Sequence, residues 1–251
     1  MIKINKDLSK VPKSLNSKLT TQRRNEIIEN EQYIDNSKYN NRYKKDDIKE
    51  NLEIIYYRKC VYCEKDVGDS FYHIEHYRPK SEYYWLAFFW DNLMICCDKC
   101  NVYKNREFET DSQKVSFSID CLKNIHNLTR VYNETERPKL VNPEFEDVEN
   151  RLIFTRAGSI DSNDERIKYT ITTCKIDRTS ANERRKKILD DLMAKYLSRV
   201  REFQIKKDKE CLGKIKGLLE DFIMDSEDPQ KEYLAFRRWI VNNLRYVTTQ
   251  Q

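Results

Sequence analysis

The sequence predicts an α+β protein in which a small strand, strand and helix unit is embedded in a mainly helical chain. Two Cys-x-x-Cys pairs, separated by 33 residues, enclose a segment with two short apolar runs. Apolar residues recur every three or four positions through much of the second half, which is typical of helices. Only four glycines and five prolines occur in 251 residues, and this scarcity disfavours a turn-rich β fold.

The two cysteine pairs predict a structural zinc site formed by Cys60, Cys63, Cys97 and Cys100. Each pair can turn two thiolates toward one tetrahedral ion, and four thiolates leave no open position for chemistry. Buried thiols and a redox dithiol are the alternatives, but the doubled spacing favours zinc. Cys96 is left out because its neighbour Cys97 has the correct spacing to Cys100.

Between the pairs, the sequence predicts a strand at residues 72–74 and a turn at residues 78–81. A second apolar run at residues 93–95 predicts another strand, and a helix is expected from Asn101 to about Arg106. The predicted order is therefore strand, long connection, strand and helix, with one ion holding both ends.

These residues carry a resemblance to the ββα-metal (HNH, treble-clef-like) endonuclease core. More narrowly, the chain resembles the PtuB-type HNH proteins of Septu and retron-linked antiphage systems. The likeness covers roughly residues 45–190. The motifs that carry it are Cys60-x-x-Cys63-Glu64, Ile74-Glu75-His76-Tyr77-Arg78-Pro79-Lys80-Ser81, Trp90-Asp91-Asn92-Leu93 and Cys97-x-x-Cys100-Asn101-x-x-Lys104.

The resemblance implies four catalytic residues. His76 becomes the general base, and Glu75 and Asn101 become ligands of a catalytic Mg²⁺ or Mn²⁺ ion. Asn92 takes the place of the residue that braces the loop carrying the base. Many HNH proteins have Asp-His where this chain has Glu75-His76. The extra methylene leaves open whether Glu75 binds the metal directly, through water, or instead orients a neighbour.

The chemistry of phosphodiester cleavage favours the same residues. Carboxylate and amide oxygens suit a hard divalent cation, which can neutralise charge on the leaving oxygen. An imidazole with a pKa of about 6.5 can accept a proton from water at neutral pH. Four nearby cations are expected to hold the phosphates of the substrate: Arg78, Lys80, Lys104 and Arg106.

Three regions are predicted: an N-terminal arm with a weak helix at 1–44, a candidate for partner docking; the zinc-braced nuclease core at 45–110; and a wrapping segment with a helical C-terminal half at 111–251. In the last region, Ser180-x-x-Glu183 is typical of a capping box that starts a long helix. Gly213 and Gly217 are expected to weaken the next helix, and Asp228-Pro229 to start the last one.

Composition limits the partners. A net charge of +5, from 47 basic and 42 acidic residues, is too balanced for a histone-like coat on nucleic acid. No long apolar run or signal segment is visible, so no membrane partner is expected and the cytoplasm is predicted. The resemblance implies a PtuA-type ATPase as partner and nucleic acid as substrate, with a retron reverse transcriptase and its nucleic acid as a further candidate. No phosphate-binding Gly-x-x-x-x-Gly-Lys loop is present in this chain.

Two other functions stay open from sequence. One is a non-catalytic zinc module that binds nucleic acid or a partner protein, with His76 an incidental exposed histidine. The other is a sequence-specific restriction enzyme, although no recognition domain is recognisable. His73 is interpreted as an ordinary strand histidine. The residues do not distinguish DNA from RNA as the target.

Overall fold

A computed structural model describes residues 1–249 and confirms the predicted α+β class. Within these residues the strands form two separate antiparallel pairs, and helices account for most of the remaining regular structure. The helices and strands, in chain order, are α1 (Lys18–Glu29), α2 (Ser37–Tyr43), α3 (Asp46–Tyr56), β1 (Tyr72–His76), β2 (Leu93–Cys97), α4 (Asp98–Lys104), α5 (Thr129–Glu136), β3 (Leu152–Phe154), β4 (Ile160–Ser162), α6 (Glu165–Thr173), α7 (Thr179–Lys206), α8 (Lys209–Glu227), α9 (Leu234–Asn242) and α10 (Leu244–Thr249).

The central unit is the pair β1 and β2 followed directly by α4. The strands pair in a register that runs from Tyr72 opposite Cys97 to His76 opposite Leu93. The helix begins at Asp98, three residues before the predicted start, because Cys97 already adopts the extended backbone of an N-cap. As a result α4 follows β2 with no loop between them, and the second cysteine pair lies at this junction.

The N-terminal arm of the prediction packs against the core, and the weak helix predicted within it is present as α1. The segment also contains α2, and the apolar residues Ile2 and Ile4 are buried in the core. The Lys6 ammonium is also enclosed and lies 2.6 Å from the carbonyl oxygen of Trp90. This ammonium can be enclosed because the protein itself supplies its hydrogen-bond acceptors.

The segment after the central unit wraps the core through a buried ion pair. Arg78 and Glu136 are both fully buried, and the Arg78 Nε donates to the Glu136 carboxylate at 2.8 Å. Glu136 is the last residue of α5, and its carboxylate also accepts from the Tyr83 hydroxyl at 2.8 Å. One carboxylate thus joins this helix to the connection between β1 and β2.

The C-terminal half is helical, as predicted, but its boundaries differ. The long helix α7 begins at Thr179, and its N-cap residue Arg178 makes no side-chain capping bond, so the Ser180 capping box does not form. Helix α8 continues through Gly213 and Gly217, where a Cβ atom would meet only open space. Helix α9 begins at Leu234 rather than at Asp228. Across residues 1–249 no helix is long and apolar enough to span a membrane.

Glu136→Ala is expected to lower the free energy of unfolding by about 3–5 kcal/mol, because removal of one partner leaves the Arg78 charge buried and unpaired. Chemical denaturation followed by circular dichroism measures the loss. Glu134→Ala, an exposed position on the same helix, is the matched control and should change stability by less than about 0.5 kcal/mol. Equal effects of the two substitutions would contradict a stabilising role for the buried pair.

Candidate functional site

The four predicted zinc ligands converge. The sulfurs of Cys60, Cys63, Cys97 and Cys100 all lie within 4.8 Å of one another, and all four residues are buried. Sulfurs bound to one zinc ion at about 2.3 Å and tetrahedral angles would be about 3.8 Å apart. The Cys63 and Cys97 sulfurs are 3.7 Å apart. Both the donor chemistry and the spacing therefore fit a four-thiolate zinc ion.

A cation from the C-terminal half lies against this cluster. The Arg178 guanidinium is 3.4 Å from the Cys63 sulfur and 3.5 Å from the Cys100 sulfur. Burial lowers the pKa of Arg178, but the adjacent thiolates outweigh it and raise the pKa above its usual range. Four thiolates and one Zn²⁺ carry a net charge of −2, so this guanidinium offsets part of that charge. The sequence did not reveal Arg178 as a partner of the cysteines because 78 residues separate it from Cys100.

His76 has the geometry of an oriented base. Its Nε2 atom lies 3.0 Å from the carbonyl oxygen of Ala87. A carbonyl oxygen can only accept, so Nε2 carries the proton and Nδ1 keeps its lone pair. The Tyr43 ring contacts the imidazole edge to face, with ring centroids 4.6 Å apart. These contacts fix both the tautomer and the orientation of the ring.

The electrostatic surroundings keep this imidazole neutral. Burial is the main cause that lowers the pKa of His76, to about 3, although the hydrogen bond to Ala87 opposes the shift. The ammonium groups of Lys80, Lys104 and Lys44 lower the pKa further. A neutral imidazole surrounded by three cations is therefore present at neutral pH in the free protein.

Glu75 and Asn101 meet His76 in one cleft of about 830 Å³. Glu75 lies on β1 and Asn101 on α4, which packs against that strand. A carboxylate and an amide oxygen are ligands that suit Mg²⁺ or Mn²⁺, which keep several waters and need few protein groups. Lys104 donates to the Glu75 carboxylate at 2.6 Å. These two oxygen donors fit a hard divalent cation. Lys104 already offsets part of the negative charge of Glu75.

Asn92 holds the loop that follows the base. Its side-chain oxygen accepts from the Arg78 backbone N–H at 2.8 Å, and its amide nitrogen donates to the Arg78 carbonyl at 3.1 Å and to the Leu86 carbonyl at 3.3 Å. The residue is fully buried and lies outside the cleft lining. Its hydrogen bonds are those of a brace, as the resemblance implies.

Two of the four expected phosphate contacts need correction. Arg78 is fully buried and its guanidinium is held by Glu136 and Asn133. Lys104 is also fully buried. Its ammonium donates to Glu75 and, at 3.0 Å, to the His76 carbonyl. Neither cation faces a substrate: Arg78 instead joins the connection after β1 to α5, and Lys104 joins α4 to the C-terminal end of β1.

The other two expected phosphate-binding residues, Lys80 and Arg106, do line the cleft, and Arg106 is exposed. His73 also lies there, with its Nε2 atom 3.4 Å from an Asp98 oxygen. Two of the four predicted cations therefore line the cleft, and their contact with phosphate stays a prediction.

The opposite wall of the cleft was missed from sequence. It is formed by residues of the N-terminal segment, which contribute Tyr33, Asp35, Asn40, Tyr43 and Lys44. They lie some thirty or more residues before the catalytic motif, and no spacing rule connects them to it. The aromatic residues and lysine of this segment were the one available signal, since such side chains are common at nucleic-acid sites.

Comparison with known proteins gives a consistent result. Residues 60–107 match the HNH endonuclease family. A Septu protein PtuB from Bacillus mycoides (strain KBAB4) is 28% identical over 225 residues, and the alignment covers 77% of this chain and 72% of that protein. The matched family segment begins at the first zinc cysteine and ends beyond α4, so it contains the cysteine cluster and the proposed catalytic residues.

Cys97→Ser is expected to abolish zinc retention and to unfold the central unit, because structural zinc binding is coupled to folding. Metal content after gel filtration and far-ultraviolet circular dichroism measure the two effects. Cys96→Ser is the matched control, since Cys96 is buried beside the cluster, 3.9 Å from the Cys60 sulfur, without belonging to it. Zinc retained by the Cys97 variant, or lost equally by both, would contradict the ligand set.

Proposed function

Since the chain carries an HNH endonuclease domain and is similar to PtuB over most of its length, we propose that it is the nuclease of a Septu-type antiphage system. It hydrolyses phosphodiester bonds of nucleic acid. The observation that supports this best is the 3.0 Å hydrogen bond from His76 to Ala87, because it leaves Nδ1 as the proton acceptor. In the neutral imidazole the bonded Nε2 is the donor, so Nδ1 is the atom left to accept a proton.

The residues of the cleft divide the work of hydrolysis. The His76 Nδ1 atom accepts a proton from the attacking water as the water adds to phosphorus. Glu75 and Asn101 would hold the divalent cation, which supplies positive charge to the leaving oxygen. Lys80 and Arg106 hold the phosphates on either side. Asn92 acts at a distance by fixing the backbone that follows the base.

Substrate binding also makes His76 a stronger base. In the free protein, burial and the nearby ammonium groups depress its pKa. A phosphodiester brings negative charge next to the imidazole and to those cations, and an opposite charge stabilises the protonated form. The pKa of His76 therefore rises when substrate arrives, so the base becomes effective only in the complex.

The similarity to PtuB supports a proposal for the cellular setting. A PtuA-type ATPase is the proposed partner, and it would supply any nucleotide-driven step, because this chain has no Gly-x-x-x-x-Gly-Lys loop. A retron reverse transcriptase with its nucleic acid is a second proposed partner. Eight free cysteines, four of them suited to zinc, fit a reducing cytoplasm as the site of action.

His76→Ala is expected to reduce cleavage by roughly 10²- to 10⁴-fold, the usual effect of losing a general base. Plasmid, single-stranded DNA and total RNA are incubated with the purified chain, with and without the ATPase, in Mg²⁺ or Mn²⁺. His73→Ala, which removes the other imidazole of the cleft, should retain most activity. Undiminished cleavage by the His76 variant, with zinc content unchanged, would remove His76 from the mechanism. Absence of cleavage in every arrangement would favour a non-catalytic zinc module.

The pH dependence of kcat/KM should lack an acidic limb near 6.5. The base must be neutral, so activity falls when pH drops through the pKa of His76, and kcat/KM reports that value in the free enzyme. Because burial lowers this pKa to about 3, activity should persist below pH 6.5 until another group titrates. A limb centred at 6.5, absent in the His76→Ala variant, would show that the imidazole is hydrated like a free histidine.

A further inference from the structure

The N-terminal wall places positive charge beside the base. Lys44 follows directly after α2 and is exposed, and Lys80 lies in the connection after β1. Lys80 is held in place, since its ammonium lies 4.0 Å above the centre of the Tyr33 ring. Both lysines line the cleft that contains His76. Nucleic acid bound next to His76 would therefore meet these two ammonium groups.

A carboxylate of the protein itself already lies on this wall, next to Lys80. Asp35 lies 3.3 Å from the Lys80 ammonium and accepts a hydrogen bond from the Asn40 amide at 2.7 Å. The Asp35 side chain is 71% exposed, whereas that of Lys80 is only 21% exposed. An ammonium and an amide N–H are also the donors that bind a phosphate oxygen. Asp35 thus occupies an anion-binding position at the edge of the cleft. It is exposed enough there for solvent to replace it.

We propose that Lys44, Lys80 and Asn40 form a subsite for a backbone phosphate adjacent to the scissile bond, and that Asp35 fills it until nucleic acid displaces the carboxylate. This inference rests on the proposed nuclease function. The subsite contacts phosphate alone, so it binds the backbones of DNA and RNA alike. It also assigns the N-terminal segment to substrate binding within the nuclease itself.

Opposite charge changes at this wall should have opposite effects. Lys44→Met removes one cation and is expected to weaken binding about 2- to 5-fold, the size of a solvent-exposed ion pair. It should also reduce the slope of log affinity against log salt by about 1. Asp35→Asn keeps the shape and the Asn40 hydrogen bond but frees Lys80, so binding should tighten by a similar factor. Lys45→Met is the matched control, because Lys45 is exposed, adjacent and outside the cleft.

Binding is measured by fluorescence anisotropy with the full chain in the His76→Ala background, so that cleavage does not interfere. The probes are labelled single-stranded DNA, duplex DNA and RNA of one sequence, each titrated at several salt concentrations. Weaker binding by Lys44→Met and tighter binding by Asp35→Asn on one or more probes, with Lys45→Met unchanged, would support the subsite. Because the subsite contacts phosphate alone, the same effects are expected on every probe that the parent chain binds.

Three results would overturn the subsite. Equal weakening by Lys45→Met and Lys44→Met would show only a general effect of net charge. Unchanged or weaker binding by Asp35→Asn would show that the aspartate does not compete with phosphate. A parent chain that binds none of the three probes would also overturn it. Because the readout is binding, a failure of catalysis in the cleavage assay is distinguishable from a failure of the subsite.

Discussion

The convergence of four sulfurs fixes how β1, β2 and α4 meet at the base of the cleft. Cys97 ends β2 and precedes α4, while Cys100 lies within that helix, so an ion held by both fixes the direction in which the helix leaves the sheet. The direction matters because Asn101 follows Cys100 immediately and must reach the strand that carries Glu75. Packing supports the same geometry, because β2 is buried along its whole length in the core.

Ion pairs between acidic side chains and lysines organise the cleft. Lys104 is buried where it can donate both to Glu75 and to the His76 backbone, so one ammonium ties the acidic side chain and the base to α4. On the outer side, Lys80 and Asp35 neutralise each other. Both acidic groups of the cleft are thus paired with lysine before substrate or cation arrives. Lys44 and Arg106 also line the cleft, so the resting site keeps a positive charge that favours an anionic ligand.

Local patterns predicted the central unit well, because its elements are specified by residues close in sequence. The cysteine spacing predicted the cluster, and the two apolar runs predicted β1 and β2. The failures involve long-range partners. Arg78 was expected to face phosphate, yet its partner Glu136 lies 58 residues away and no periodicity reveals it. The N-terminal wall was missed for the same reason, since its lysines and tyrosines acquire a role only when the segment folds back onto the cleft.

The position of Arg178 gives the C-terminal half a mechanical connection to the metal cluster. This residue is the N-cap of α7, a helix of 28 residues that extends about 42 Å at 1.5 Å per residue. One end of this rod is therefore anchored at the sulfurs, and the other carries the turn into α8. The buried residues of α7 end at Met193, so the anchored N-terminal end sets the direction in which the rest of the helix and the turn into α8 extend.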